Sequence, residues 1–211
     1  MQRARARTTS EKVALGAVAL VAFALLAKPL FQRDPAYFYF DDFFYYLVPA
    51  RHFLATGVFS FDFATPTNGF HPLWMAVVTA LLAASRGHAF VFFALFDATL
   101  AALLVASYAQ TERLLRERGA SATLAIGAGL VVLGLQIEIG TRGMEVALAT
   151  PLLLAFTRRI LAEPLGELRP ARAVTLGLLG AGAILARLDA VLLVLPLALA
   201  VLRDRPAPRT L

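Results

Sequence analysis

The chain contains no cysteine and carries little charge for its length. Asp, Glu, Lys and Arg make up 16% of its 211 residues, whereas hydrophobic residues make up 59%. The absence of cysteine excludes disulfides, thiolate metal sites and a cysteine nucleophile. The shortage of charge excludes an ordinary water-soluble domain, because such a domain needs charged side chains to cover its surface. The composition therefore indicates an integral membrane protein.

Long apolar runs supply the candidate membrane-crossing segments, since a helix needs about 20 apolar residues to cross a hydrocarbon layer of ~30 Å. The runs cover residues 13–30, 89–110, 120–139, 143–156, 173–186 and 190–202. The alternative for the first run is a signal peptide, since Arg3, Arg5, Arg7 and Lys12 precede it. We interpret it as an uncleaved span, because no small-residue cleavage site follows it. The sequence thus predicts an all-α membrane protein with about six transmembrane helices. Residues 1–12 and 204–211 are predicted to be cytoplasmic tails around a transmembrane module at 13–203, which either ends there as a complete product or is a fragment.

The placement of Lys and Arg predicts the orientation. If the N-terminus is cytoplasmic and residues 31–88 form one outer loop, 14 of the 20 basic residues fall on inner segments. Basic residues in short loops favour the cytoplasmic side. The net charge of +6 is therefore interpreted as a topology signal rather than as a sign of nucleic-acid binding. We expect a multi-pass protein of the bacterial cytoplasmic (inner) membrane with both termini in the cytoplasm.

The segment 71–85 is apolar but short. Its fifteen residues would span only about 22 Å as a helix. We predict that it lies along the outer interface with Trp74 at the level of the headgroups. The alternative, a further membrane crossing, would reverse the orientation of every later loop.

The predicted outer loop is rich in aromatic residues and contains an acidic pair. Of the 22 aromatic residues, 15 lie between Phe31 and Trp74. An aromatic belt at the membrane interface accounts for most of them, but not for the adjacent acids Asp41 and Asp42. Two neighbouring carboxylates in such surroundings favour a cation, a proton or a hydroxyl-bearing ligand as compensation. The alternative is that Asp41 caps the helix that comes after it.

The rest of this loop predicts two interfacial helices. One covers 43–56, is interrupted by Pro49 and ends at Gly57, and the other opens at Pro72. Between them, alternation over 58–63 predicts a short strand and residues 65–69 a turn. This arrangement returns Asn68 and His71 toward the surface that carries Asp41.

Two further polar breaks interrupt the apolar runs, at residues 140–145 and 187–189. Ionisable residues near the hydrocarbon are costly, so each is a functional candidate. The alternative is a pair of local ion pairs, Arg142–Glu145 and Arg187–Asp189. The run 173–202 would measure about 45 Å as one helix, so we predict two short helices that meet at Arg187. The alternative there is one long tilted helix.

Taken together, these motifs resemble a known family. They are Asp41-Asp42, Thr67-Asn68-Gly69-Phe70-His71-Pro72-Leu73-Trp74, Gly143-Met144-Glu145 and Ala186-Arg187-Leu188-Asp189. The pattern resembles the conserved half of C-type (GT-C fold) glycosyltransferases of the aminoarabinose-transferase and protein O-mannosyltransferase kind, over roughly residues 13–203. The resemblance implies a polyprenyl-phosphate sugar donor, with Asp41 as the base and Arg187, with Arg142, on the donor phosphate. The family pair is commonly Asp-Glu, whereas this chain has Asp-Asp, and family members are usually far longer.

The expected reaction is transfer of the sugar to a lipid, glycan or protein acceptor on the outer face. A carboxylate would deprotonate the acceptor hydroxyl, and cationic groups would neutralise the departing phosphate. Candidate catalytic residues are Asp41 and Asp42, and candidate substrate-binding residues are Asn68, His71, Arg142, Glu145, Arg187 and Asp189. A divalent metal held by Asp41 or Asp42 with His71 is a further candidate. Two other classes stay open: part of a transporter, for which Asp97 within an apolar run is the argument, and a non-catalytic membrane scaffold or truncated remnant.

Overall fold

The protein is described by a computed structural model that covers residues 9–31, 39–162 and 170–203. The helices in these ranges are α1 (Thr9–Phe31), α2 (Asp41–Thr56), α3 (Pro72–Ala84), α4 (Ala89–Glu117), α5 (Ala122–Gly140), α6 (Val146–Leu161), α7 (Pro170–Ala186) and α8 (Val191–Arg203). Within the described ranges no strand forms, so the predicted all-α class is confirmed. The predicted tail residues 1–8 and 204–211 lie outside the described residues.

Two helices in this part of the chain, α4 and α5, are long and apolar enough by length and composition to cross a membrane. The other predicted crossings stay predictions. Helix α4 occupies the centre, because it packs against α1, α5 and α6. An apolar cluster fills the space between α1, α4 and α5. Its buried members are Ala14, Val18, Leu25, Ala101, Leu104, Tyr108, Ile126 and Leu133.

The run 173–202 is divided at Arg187. Helix α7 ends at Ala186, Arg187 is extended (φ −156°, ψ 115°), and one 3-10 turn at Leu188–Ala190 leads into α8. The predicted pair of short helices is therefore confirmed, and a single long helix is excluded. Helices α6, α7 and α8 enclose their own apolar cluster, which contains Phe156, Ile160, Leu176, Ala183, Ala190 and Val194.

Residues 39–84, which comprise α2, α3 and the segment between them, form what we call the aromatic layer. Its rings pack on the beginning of α4: the Tyr39 ring stacks on Phe93 at 5.3 Å, and Phe43 and Phe96 lie 4.8 Å apart. Trp74 is fully buried, and its indole N–H donates to the Gly143 carbonyl at 3.0 Å. Packing and this hydrogen bond hold the ring inside the protein, and its predicted position at the level of the headgroups stays a prediction.

Local structure within the aromatic layer agrees with the sequence prediction in part. Helix α2 ends where predicted, at Gly57, which takes the left-handed conformation (φ 79°) that glycine adopts without a steric penalty. Pro49 does not interrupt α2 but lies inside it. The predicted strand at 58–63 is wrong, since a single bridge joins Ser60 to Pro66. Ring packing replaces a strand ladder there: Phe59 stacks on Phe53 at 4.2 Å.

Helix α3 begins as its sequence predicts. Pro72 is its first residue, where the missing N–H costs nothing, and His71 is the extended residue just before it. Helix α3 packs against α2, α4 and α7. These contacts place His71 beside the break between α7 and α8.

Candidate functional site

The centre of the candidate site is Glu145, the residue immediately before α6, which is 3% exposed. A buried carboxylate is costly unless charged and polar partners surround it. Glu145 has such partners: Oε1 accepts from Arg187 Nη1 at 2.9 Å, and Oε2 accepts from the Tyr46 hydroxyl at 3.1 Å. The site therefore joins residues that are about a hundred positions apart in sequence.

Arg142 is not the partner of Glu145, so the predicted local ion pair is wrong. Its guanidinium pairs instead with Glu138 one helical turn earlier, at 3.5 Å, and lies 4.9 Å over the Phe40 ring. The connection between α5 and α6 turns at Gly143 (φ 92°), which separates the Arg142 side chain from Glu145. The structure thus does not bring Arg142 to Arg187.

Arg187 is held by two carboxylates. Its Nε donates to both oxygens of Asp189, at 2.8 and 2.9 Å, which confirms the predicted Arg187–Asp189 pair. Its Nη1 donates to Glu145. The hydrogen bonds to Asp189 raise the pKa of Arg187 above its ordinary value, so it stays charged. These contacts fix the plane of the guanidinium at the break between α7 and α8.

His71 links the aromatic layer to this break. Its Nδ1 accepts a hydrogen bond from the Leu188 backbone N–H at 3.3 Å. The proton of the neutral ring is therefore on Nε2, which faces Glu145 Oε1 at 3.6 Å. We call Tyr46, His71, Glu145, Arg187 and Asp189 the polar cluster.

Tyr46 is the member of the polar cluster that the sequence pattern does not predict. Burial, followed by the nearby Glu145 charge, raises the pKa of the Tyr46 phenol, so the hydroxyl stays protonated and donates to the carboxylate. A signal for it is present in the sequence, because Tyr46 lies four residues after Asp42 and so on the same face of α2.

The acidic pair Asp41 and Asp42 forms the first turn of α2, and both residues are exposed. The predicted capping role is wrong: Phe40 is the N-cap residue and no side chain caps the helix. Asp41 Oδ1 instead accepts from the Asp42 backbone N–H at 3.0 Å. Carboxylates in the first turn are still favourable, because the helix N-terminus carries partial positive charge.

The start of α2 is fixed against the connection that leads to Glu145. The Phe40 backbone N–H donates to the Arg142 carbonyl at 3.0 Å, and Gly143 lies directly against the Phe43 ring. Asp42 is one helical turn from Tyr46, about 5–6 Å between Cβ atoms on a regular helix. The exposed acids therefore lie at the edge of the polar cluster.

Two other predictions from the sequence, substrate binding by Asn68 and metal binding by the acidic pair with His71, have less support in the geometry. Asn68 is exposed, and no hydrogen bond joins it to the polar cluster within the described residues. In the same part of the chain, no group of three or more His, Asp or Glu side chains is placed to hold a metal ion. Metal binding by Asp41, Asp42 and His71 therefore stays a prediction.

Asp97 lies inside α4, is 1% exposed and accepts from the Tyr39 hydroxyl at 2.7 Å. Burial together with the Asp97 charge raises the pKa of Tyr39. This hydrogen bond joins the residues just before α2 to the central helix α4. It gives Asp97 a structural partner in the aromatic layer.

A cavity of about 390 Å³ lies beside the polar cluster, between α6 and α8. Arg187, Asp189 and Thr150 form its polar part, and the remainder is apolar. Such a cavity can hold a small polar group next to an apolar chain. Over the residues that the structure describes, the fold is all-helical, with two helices long and apolar enough to cross a membrane and a buried ionic cluster beside an exposed acidic pair.

No protein-family model matches the chain, and neither a curated protein nor a solved structure matches it. The resemblance to C-type glycosyltransferases therefore depends on the residue pattern alone.

Proposed function

We propose that the chain is a module of a membrane glycosyltransferase that moves a sugar from a polyprenyl-phosphate donor to an acceptor hydroxyl. The observation that carries this proposal is the exposed pair Asp41–Asp42 beside the buried ionic centre Glu145–Arg187. The motifs that resemble C-type glycosyltransferases supply four of the five members of the polar cluster. The remaining motif, Asp41–Asp42, lies at the edge of the cluster. The acceptor is a lipid, a glycan or a protein.

Asp41 is the base in this proposal. Its Oδ1 is oriented by the Asp42 N–H, which leaves Oδ2 to take the proton from the acceptor hydroxyl. The acceptor oxygen then bonds to the anomeric carbon as the bond from that carbon to the donor phosphate breaks. The phosphate leaves with the electron pair of the broken bond. The exposed carboxylate of Asp42 keeps the surroundings of Asp41 negatively charged and hydrated.

Arg187 orients the donor. The polar cluster holds two carboxylates, Glu145 and Asp189, against one guanidinium, so it offers no excess positive charge while His71 is neutral. Arg187 uses Nε and Nη1 in its contacts with these carboxylates. Its Nη2 is therefore the nitrogen that can donate to an oxygen of the sugar-phosphate substrate, beside the cavity of about 390 Å³. Arg187 is thus a hydrogen-bond donor of fixed direction rather than the main source of positive charge.

The membrane placement is part of the proposal: about six crossings in a bacterial cytoplasmic membrane, with cytoplasmic termini and the aromatic layer outside. The absence of cysteine makes this directly testable, because an introduced cysteine is the single thiol of the chain. Cysteines at Thr67 and Ala120 should differ toward an impermeant thiol reagent in intact cells. Thr67→Cys should be labelled and Ala120→Cys should not, and equal or reversed labelling would contradict the orientation.

The catalytic proposal is tested by Asp41→Asn in membranes that contain the complete protein. General-base catalysis contributes about 10²–10⁴-fold, so transfer from a panel of polyprenyl-phosphate sugars should fall by about that factor. Asn preserves size, and Asp41 is exposed, so expression should not change. Asp62→Asn is the matched control, since Asp62 is another exposed acid of the same layer.

The alternative is a non-catalytic membrane scaffold. The internal pairing of Glu145, Arg187 and Asp189 favours it, because paired charges serve structure without a substrate. Normal transfer by both Asp41→Asn and Asp42→Asn would sustain this alternative and remove the catalytic proposal.

A further inference from the structure

A second cavity, of about 810 Å³, lies between α2, α3 and the start of α4, on a different face of α2 from Tyr46. Its volume falls within the range of about 300–1,000 Å³ that small-molecule sites occupy. The walls are apolar and aromatic, and include Phe44, Leu47, Leu54, Leu82, Phe92 and Phe93. The α2 residues recur at helical spacing, so one face of α2 forms a wall that is apolar except at Arg51. We call this cavity the α2–α4 groove.

Among the described residues that line this groove, two arginines are charged. Arg51 interrupts the apolar face of α2, and Arg86 lies in the turn between α3 and α4. Both are exposed, and no Asp or Glu is among the lining residues that the structure describes. This differs from Arg187, which two carboxylates neutralise. The positive charge of the groove is therefore available to an anion.

The backbone at Arg86 supplies an independent observation. Arg86 has φ 50°, in the left-handed region, and is followed by Gly87 with φ 78°. A bulky side chain is unfavourable there, whereas glycine would adopt the conformation without a steric penalty. Strained residues of this kind concentrate at ligand-binding sites. The arginine at this position costs stability that a glycine would not, which indicates a use for its side chain.

The combination of an apolar groove and two arginines fits one class of ligand. An acyl chain is matched by the apolar wall, and a phosphate by two guanidinium groups. Arg86 lies three residues before α4, one of the two helices able to cross a membrane, so it is located where headgroups would lie. We infer that the α2–α4 groove binds an anionic phospholipid, with its phosphate between Arg51 and Arg86. This inference rests on the proposed membrane location but not on sugar transfer.

The test is lipid retention by the purified complete protein, measured by native mass spectrometry after incubation with phosphatidylglycerol or phosphatidylcholine of identical chains. Each basic residue near an anionic lipid surface contributes a factor of about five in affinity. Arg51→Gln and Arg86→Gln should each weaken phosphatidylglycerol binding about fivefold, and the double variant about 25-fold. Phosphatidylcholine, which has no net charge, should bind weakly to all of these proteins.

Arg113→Gln is the matched control, because Arg113 is an exposed arginine near the other end of α4. Arg86→Gly separates function from folding: it relieves the strained backbone, so its thermal stability should not fall while its lipid binding does. Glycerol phosphate, which carries the anion without the chains, should bind far more weakly than phosphatidylglycerol.

Three results would overturn the inference. They are equal retention of both lipids, equal loss in Arg113→Gln, and glycerol phosphate binding as tight as that of the lipid. If Asp41→Asn leaves transfer unchanged while the lipid result holds, the catalytic proposal fails and the lipid site stands.

Discussion

The molecule contains two acidic sites that differ in almost every physical respect: Glu145, and the pair Asp41–Asp42, which lies about one helical turn before Tyr46, a partner of Glu145. Glu145 is buried and is bound by Arg187 and Tyr46. Asp41 and Asp42 are exposed, and the hydrogen bond of Asp41 is the local one to its neighbour. A buried paired carboxylate cannot be removed without leaving its partners unsatisfied, whereas an exposed one can. The comparison teaches that Glu145 builds the site, and that Asp41 and Asp42 are available for chemistry.

The largest expected effect on stability is that of Glu145→Ala. It leaves Arg187 and the Tyr46 hydroxyl without their shared acceptor. Breaking a buried ion pair costs about 3–5 kcal/mol, and Arg187 keeps Asp189 and is 39% exposed, so we expect about 3 kcal/mol. Unfolding in detergent measures it.

Asp41→Asn is the matched control for that variant and should change the unfolding free energy by less than about 0.5 kcal/mol. If both variants were equally destabilised, the contrast between a structural and an available acid would be wrong.

A second prediction concerns the contact that holds the two sites together. Gly143 has φ 92°, and a Cβ there would lie 2.7 Å from the Phe43 ring. Gly143→Ala should therefore combine backbone strain with overpacking, for a loss of about 2 kcal/mol. Thermal unfolding in detergent measures the loss.

Gly57→Ala is the control for Gly143→Ala. Gly57 has a similar φ of 79°, but nothing lies within 4 Å of a Cβ at that position. It should lose only the strain, about 1 kcal/mol. Equal losses at the two glycines would mean that the Phe43 contact does not couple the sites.

The smallest effect is expected at Asp62, an exposed acid with a local structural role. Asp62 Oδ1 accepts from the Thr65 and Ala64 backbone N–H groups at 2.7 and 2.9 Å, and these bonds lower its pKa. Because the folded pKa lies below the unfolded value, its contribution is present above that unfolded value and is lost as the pH falls through the folded pKa. Amide-exchange protection at Ala64 and Thr65 should fall in acid.

Asp62→Asn should remove this pH dependence while protection in the polar cluster is unchanged. A pH-independent turn in the parent protein would show that the carboxylate does not hold it.

Sequence reasoning succeeded where one physical rule decided the structure. Apolar length located the helices, the left-handed conformation at Gly57 ended α2, and excess length predicted the break at Arg187. It failed where the answer depended on partners far along the chain. We paired Glu145 with Arg142 because helical spacing identifies only partners that are close in sequence. The observed partner, Arg187, is 42 residues away.

Other errors in the aromatic layer have the same origin. Alternation at 58–63 predicts a strand, but ring stacking such as Phe53 on Phe59 satisfies those side chains instead. The sequence does not predict the hydrogen bond from Trp74 to Gly143, because the two residues are 69 positions apart. Arg51 is not predictable as a binding residue, because the sequence does not show that the fold places Arg86 in the lining of the same cavity.

The bonds between the aromatic layer and the polar cluster bear on how the protein is made. The bond from Tyr46 cannot form until Glu145 has been synthesised, 99 residues later. The bond to His71 cannot form until Leu188 has been synthesised, 117 residues later. At about 5–20 residues per second of synthesis, that interval lasts roughly 5–25 s. During this interval the polar side chains of the layer lack these partners. The last hydrogen bond between the layer and the rest of the molecule can therefore form only after α7 and the turn at Leu188 have been synthesised.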